Sequence, residues 1–419
     1  MSVIKRIESL LEKGGKYLKL DVLYFAKGGF WLTASQIAGA AVSFILSVYL
    51  ANTLPKESYG SYRYILSLAS ILGSFTLTGL NTAIIQSVAR GYEGALRQAF
   101  KLSLRWSVAS FLISIAGSGY YFYNENYVLG SALVIIAFAG PFLNSAGLFS
   151  SFINGKKDFR TQSLYTFIDN ALPALAIIIA AFFTKNILLL IATYFISSTL
   201  IALILYFRTL KKFKPNDQQD GQIESYSIKL SVLNIITILT TQIDKVIVFT
   251  YLGPVELAIY GIALSFPEQI RGILRNMSSL LIPRFAERDI TEQSVDVKGK
   301  TKKLASLFAL ITIAYALCAP ILFKIFFPTY MDSIIYSQVY SLVIIASVAW
   351  IPGSIFISQK NDTELSKLSI YGSLIQIGVL VPLVYFFGLW GVIVAKMLGV
   401  YGNSVLSFIL YKKNYSKKS

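Results

Sequence analysis

The chain has 419 residues, of which 55% are hydrophobic and only 14% charged. A soluble chain carries about 25% charged residues, and a membrane helix needs about 20 apolar ones, so this composition excludes a string of soluble domains and suits roughly a dozen spans with little left over. The formal net charge of +17 would suit nucleic acid in a soluble protein, but the positions of the basic residues give it another meaning.

In chain order, residues 3–18 come first. Ile4, Ile7, Leu11 and Leu18 share one face, with Lys5, Glu8, Glu12 and Lys16 elsewhere. This pattern predicts a short interfacial helix on anionic lipid, although Gly14-Gly15 weakens it and a solvated tail is the alternative. The first 28 residues carry charges throughout and lack an apolar core, so no cleavable signal peptide is expected. Apolar runs then predict spans at 29–51, 64–86, 104–123, 127–151, 163–184, 187–207, 230–251, 257–282, 304–327, 333–357, 368–387 and 389–411. The connections after even-numbered spans are rich in Lys and Arg, and those after odd-numbered spans are short.

Of the 38 basic residues, only Lys56, Arg63, Lys185 and Lys324 fall to the odd-numbered connections or the span end beside one, Arg105 stands at the start of the third span, and Lys245, Arg271, Arg275 and Lys396 lie deeper inside spans. The positive-inside rule then predicts a multi-pass membrane protein with both termini in the cytoplasm, the membrane expected being the plasma (inner, cytoplasmic) one. Topology accounts for the charge, and nucleic acid is not expected as a partner. There is no His, and the single Cys318 sits in an apolar run, so imidazole chemistry, an internal disulfide and a thiol-rich metal site are excluded. No cofactor and no metal are expected. Intramembrane proton chemistry would have to use Asp, Glu or Tyr.

The polar stretch 209–229, with Pro215, Asp217, Asp220 and Gly221, divides the chain. It predicts an N-terminal lobe over 1–208 (interfacial helix plus spans one to six), a cytoplasmic linker over 209–229 and a C-terminal lobe over 230–419 (spans seven to twelve plus a basic tail). Weak internal similarity joins the halves. Pro55-Lys56-Glu57 leads to Tyr59-Gly60 after the first span, and Pro254-Val255-Glu256 leads to Tyr260-Gly261 after the seventh; Phe182-Phe183 and Phe386-Phe387 end the fifth and eleventh. Two six-span halves of one orientation predict an all-α polytopic membrane protein, twelve helices in two lobes around a central cavity.

Leu54-Pro55-Lys56-Glu57-Ser58-Tyr59-Gly60, Gln242-Ile243-Asp244-Lys245 leading to Leu252-Gly253-Pro254, Tyr260-Gly261, and Gly388-Leu389-Trp390-Gly391 follow one another along nearly the whole chain. In their order and spacing the sequence resembles the Wzx-like repeat-unit (O-antigen/polysaccharide) flippases of the multidrug/oligosaccharidyl-lipid/polysaccharide exporter superfamily. The resemblance implies a carrier that moves a polyprenyl-diphosphate-linked oligosaccharide from the cytoplasmic to the outer leaflet. Some relatives carry an Arg in the first span; this span has none after Lys27.

The charges at membrane depth are the candidate site. Glu268, Arg271 and Arg275 share one face of the eighth span. Arg271 lies about 18 Å from the span's end, too deep for easy snorkelling, so it needs a cavity or an acid. Arg271 and Arg275 suit a diphosphate bidentately. An internal Glu268–Arg271 pair, or Arg275 reaching water, is the alternative. Lys245 either assists in substrate binding or snorkels outward. Asp244, Glu268 and Asp169 are the carboxylates that would serve coupling to H+ or Na+; Asp244 and Asp169 have structural salt-bridge or capping roles as alternatives. Lys396 is expected to snorkel. Asn234, Thr237, Thr240, Thr241 and Gln242 on the seventh span, with Gln36, Ser70 and Thr78 earlier, suit a wet interior.

Three function classes remain open. The leading one is a secondary transporter, a lipid-linked oligosaccharide flippase working by alternating access. A cation-coupled multidrug exporter of the same superfamily is the alternative, disfavoured by the excess of deep basic groups. A membrane glycan polymerase or ligase fits poorly with the short outer connections. No phosphate-binding loop for ATP is present.

Overall fold

The computed structural model describes residues 22–279, 290–350, 352, 356 and 362–415, and among them only helices, turns and loops occur. The interfacial helix expected at residues 3–18 lies outside the described residues. Up to residue 213 the helices are α1 (Val22–Thr53), α2 (Lys56–Gly73), α3 (Leu80–Ala89), α4 (Ala95–Tyr123), α5 (Tyr127–Ala146), α6 (Phe149–Gly155), α7 (Phe159–Phe183) and α8 (Ile187–Phe213). Then come α9 (Ile223–Leu252), α10 (Pro254–Ser279), α11 (Ile290–Phe326), α12 (Ser333–Tyr340), the single turn α13 (Val343–Ala346) and α14 (Asp362–Tyr415).

The predicted apolar runs fall largely on helix, and among the described residues eight helices are long and apolar enough to cross a membrane: Thr33–Thr53, Ala95–Tyr123, Tyr127–Gly155, Phe159–Phe183, Ile187–Phe213, Ile223–Leu252, Thr301–Phe326 and Gln376–Lys413. The difference has local causes. The second predicted run is broken between α2 and α3 by tight turns, where Leu77 takes a φ of 62°. The tenth breaks into short helical pieces around α12 and α13. The eighth carries Glu268, Arg271 and Arg275, which lower its hydropathy. The eleventh and twelfth are the two arms of α14, separated at Gly388, whose φ of 53° and ψ of −131° fold them against each other: a Cβ at Gly372 would meet Asn403 and one at Gly399 would meet Gln376.

The chain forms two compact units, Met1–Leu50 with Leu72–Val232 and Ala51–Ile71 with Leu233–Ser419. In the first, Leu80, Ile84, Leu96, Phe149, Phe152 and Tyr206 make a buried apolar cluster. Beside it α4 buries Ser103, Ser107, Ser110, Ser114 and Ser118, one per turn along a single face. Such small residues let helices approach closely in lipid. The stripe faces α5, with the Ser118 hydroxyl donating to Gly130 O at 2.9 Å and Ser145 Oγ donating to Ser103 Oγ at 2.8 Å. The polar residues between α8 and α9 are tied to the end of α3, the turn after it and the start of α4. Asp217 pairs with Arg97, and Asp220 accepts from Ser87 at 2.6 Å. The Asn216 amide donates to Gly91 O at 3.0 Å.

In the second unit α2 packs against the α9–α10 junction. Gly60 lies so close to Pro254 that a Cβ would sit 1.8 Å from its carbonyl oxygen. Tyr64 stacks on Phe249, ring centres 3.8 Å apart and nearly parallel. Lys56 pairs with Asp332 at 3.1 Å. The two proline-containing turns that resemble each other in sequence therefore touch each other in space.

Candidate functional site

The second unit encloses a cavity of about 530 Å³ lined by residues of α9, α10, α14 and Trp350. Helix periodicity builds its walls. On α9, Thr237, Thr241 and Lys245 recur every fourth residue, with Thr240 and Gln242 beside them. On α10, Glu268, Arg271, Gly272 and Arg275 share a face at three- and four-residue spacings. From α14 come Gln376 before the Gly388 kink and Lys396 and Asn403 after it. The kink itself depends on glycine: at Gly388 the backbone is one that L side chains resist, and at Gly391 a Cβ would meet Leu383 O at 1.8 Å.

The cavity is basic. Lys245, Arg271, Arg275 and Lys396 line it, and Glu268 is its one acidic lining residue. Arg271 Nη1 donates to Glu268 Oε1 at 2.8 Å, and the Tyr340 hydroxyl donates to the same oxygen. Arg271 also lies 6.0 Å from the centre of the Trp350 ring, and its Nε is buried without a hydrogen-bond partner among the described residues. Arg275, one turn on, is exposed to the cavity and has no ion pair among the described residues.

Behind this wall is Asp244, with no exposed surface. Its Oδ2 accepts from the Lys396 ammonium and, at 2.6 Å, from the Tyr260 hydroxyl; its Oδ1 accepts from the Lys245 backbone N–H at 2.8 Å. The Lys245 ammonium donates to Gln242 Oε1 at 2.6 Å. The Arg63 guanidinium of α2 lies against Gly261 of α10.

Four of the six candidate binding and coupling residues thus meet in one cavity: Arg271, Arg275, Lys245 and Glu268. Asp244 stands directly behind them. Asp169 does not join this group; it sits on α7 in the first unit, where its Oδ1 is buried without a hydrogen-bond partner among the described residues. The internal Glu268–Arg271 pair weighed as an alternative is present. Lys396, expected to snorkel, instead holds Asp244 with 15% of its side chain exposed. Sequence reasoning also passed over Tyr340, Trp350, Gln376 and Asn403, because their only signal is a long-range contact. Tyr260 was visible as part of the repeated Tyr-Gly motif, though not as a hydroxyl donor.

Solved structures with this architecture include an inward-facing multidrug resistance MATE family transporter of the MOP superfamily, with 12% identity, 91% of this chain and 96% of that one covered, and a TM-score of 0.71. Another is the lipid II flippase MurJ in an inward closed conformation, with 13% identity, 91% and 87% covered, and a TM-score of 0.68. A third is a MOP superfamily transporter from Pyrococcus furiosus, described as having a binding pocket of reverse polarity that suggests a different function, with 15% identity, 93% and 96% covered, and a TM-score of 0.59. At these identities the likeness establishes the fold. A sequence search of curated proteins finds no match. A family profile described as polysaccharide biosynthesis protein matches residues 25–288. That match covers more than half of the sequence, and the chain belongs to the polysaccharide biosynthesis protein family.

Proposed function

We propose that this protein is a flippase that carries a polyprenyl-diphosphate-linked oligosaccharide from the cytoplasmic to the outer leaflet by alternating access. The observation that carries the reading is the cavity's charge: four basic side chains line it against one carboxylate. Away from bulk water such cations bind a diphosphate strongly, and guanidinium forks match phosphate oxygens bidentately. Family membership supports a polysaccharide precursor as cargo, and the fold shared with a lipid II flippase supports a lipid-linked one. In this reading the diphosphate meets Arg271, Arg275 and Lys245. The sugars contact the threonines and amides of the wall, and the polyprenyl tail stays in lipid.

The working architecture is twelve crossings in two six-helix lobes, 1–208 and 230–419, joined by a cytoplasmic linker over 209–229, with both termini in the cytoplasm of the inner membrane. An ion gradient drives the cycle. Asp244 and Glu268 each already hold a cation, whereas Asp169 has no ion pair among the described residues and keeps an unpartnered oxygen. Of the three carboxylates, Asp169 is therefore our candidate for carrying the coupling ion.

The test is to delete the protein and identify the lipid-linked sugar that accumulates on the inner leaflet. Accumulation reversed by the intact protein supports the reading. Unchanged lipid-linked sugars together with lost export of a fluorescent cation would replace it with multidrug export.

A further inference from the structure

We infer that the cavity contains two matched cation-positioning triads, Tyr260–Asp244–Lys396 and Tyr340–Glu268–Arg271, which fix an ammonium and a guanidinium for a phosphorylated headgroup. The parallel extends through every member. Tyr260 and Tyr340 are both fully buried, and each donates its hydroxyl to a carboxylate. Each carboxylate holds one cation, Lys396 or Arg271, and each of those cations lines the cavity. Each cation also lies over an aromatic ring, Lys396 at 5.9 Å from the centre of Tyr260 and Arg271 at 6.0 Å from Trp350.

The chemistry of the donors says what remains for a ligand. A lysine ammonium has three donors and an arginine guanidinium five. Lys396 commits a donor to Asp244, and Arg271 Nη1 is committed to Glu268. Both heads line the cavity with donors to spare, and Arg271 Nε, though buried, has no partner among the described residues. The tyrosines hold the carboxylates without adding charge. They orient the cations before substrate arrives, which lowers the ordering cost of binding. Asp244 and Glu268 are then positioning residues rather than carriers of the transported ion. Lys396 becomes a contact to substrate, delivered from the far side of the Gly388 kink.

The inference rests on the anionic reading of the cavity, and the experiment separates the two. The full-length protein in lipid nanodiscs is titrated with inorganic pyrophosphate, and with orthophosphate for comparison, while its thermal midpoint is followed. Lys396→Met alone strands a buried carboxylate and is expected to unfold early. The double variant Lys396→Met/Asp244→Asn removes both charges and is expected to recover the thermal midpoint while binding pyrophosphate at least about tenfold more weakly. Tyr260→Phe and Tyr340→Phe keep every charge and are expected to narrow the preference for pyrophosphate over orthophosphate, a readout that a purely structural hydroxyl would not move. A double variant with wild-type affinity and preference overturns the ligand role of Lys396 and leaves the anionic cavity standing. Wild-type protein that ignores pyrophosphate overturns both.

Discussion

Lys396 lies 152 positions beyond Asp244 in sequence, yet its ammonium rests on that carboxylate, a side chain with no exposed surface. A buried carboxylate deprived of its cation is costly, and breaking such a pair from one side typically destabilises by about 3–5 kcal/mol. Lys396→Met should therefore lower stability by that order. Asp244→Asn in the same chain should restore most of it, because the charge left behind is then gone. Thermal unfolding in matched nanodiscs measures both.

Arg271 is expected to be indispensable for export. Arg271→Ala should abolish delivery of repeat units to the outer leaflet while the protein still inserts at normal levels. Arg271→Lys should retain part of the activity, because it keeps the charge and loses the fork. Surface polysaccharide and membrane-fraction immunoblots read the two effects separately. Full export by Arg271→Ala would remove this residue from the site.

Close backbone approach makes two glycines irreplaceable for reasons of space. A Cβ at Gly60 would lie 1.8 Å from Pro254 O, and one at Gly391 would lie 1.8 Å from Leu383 O. Alanine at either position must push a helix aside, and overpacking of this kind costs about 1–3 kcal/mol or more. Gly391→Ala should also reduce pyrophosphate binding, because it disturbs the kink that delivers Lys396. Gly60→Ala should lower stability alone. Thermal midpoints and titrations on the same samples distinguish them.

Asp169→Asn should leave pyrophosphate binding unchanged and remove the response of transport to an imposed ion gradient. Flipping in proteoliposomes with and without a pH gradient, or a sodium gradient, checks this and identifies the ion. A variant that still responds to both gradients would exclude Asp169 from coupling.

Asp158 caps α7, accepting from the Thr161 backbone N–H at 3.0 Å and from its hydroxyl at 2.6 Å, with the Lys212 ammonium at 3.3 Å. Partial burial works to raise its carboxyl, but the Thr161 bonds and Lys212 outweigh it and hold the group below its ordinary value of 3.8. The stabilisation is therefore complete above that value and is lost as pH falls through the lowered one. Asp158→Ala should cost about 1 kcal/mol at neutral pH, as cap removal does. The gap to wild type should shrink in acid, as read from thermal midpoints across pH.

The sequence by itself determined the solvent, the class of fold and the chemistry available. Composition and apolar run length required a membrane, because about 20 consecutive apolar residues have no other stable place. The spacing of Glu268, Arg271 and Arg275 put them on one face because helix geometry repeats locally. The missing histidines and lone cysteine fixed which side chains were left to do the work. Which helices are long and apolar enough to cross was less legible: the breaks after α2 and around α13 depend on turns with little hydropathy signal. The tertiary structure alone decided which charges meet. Lys396 read as a snorkelling residue when only its own helix was considered; the kink at Gly388 and the packing of α9, α10 and α14 gave it Asp244. Likewise Tyr340 became the hydroxyl on Glu268 only once α12 lay beside α10. Ion pairs between distant segments follow from packing, and no local period in the sequence encodes them.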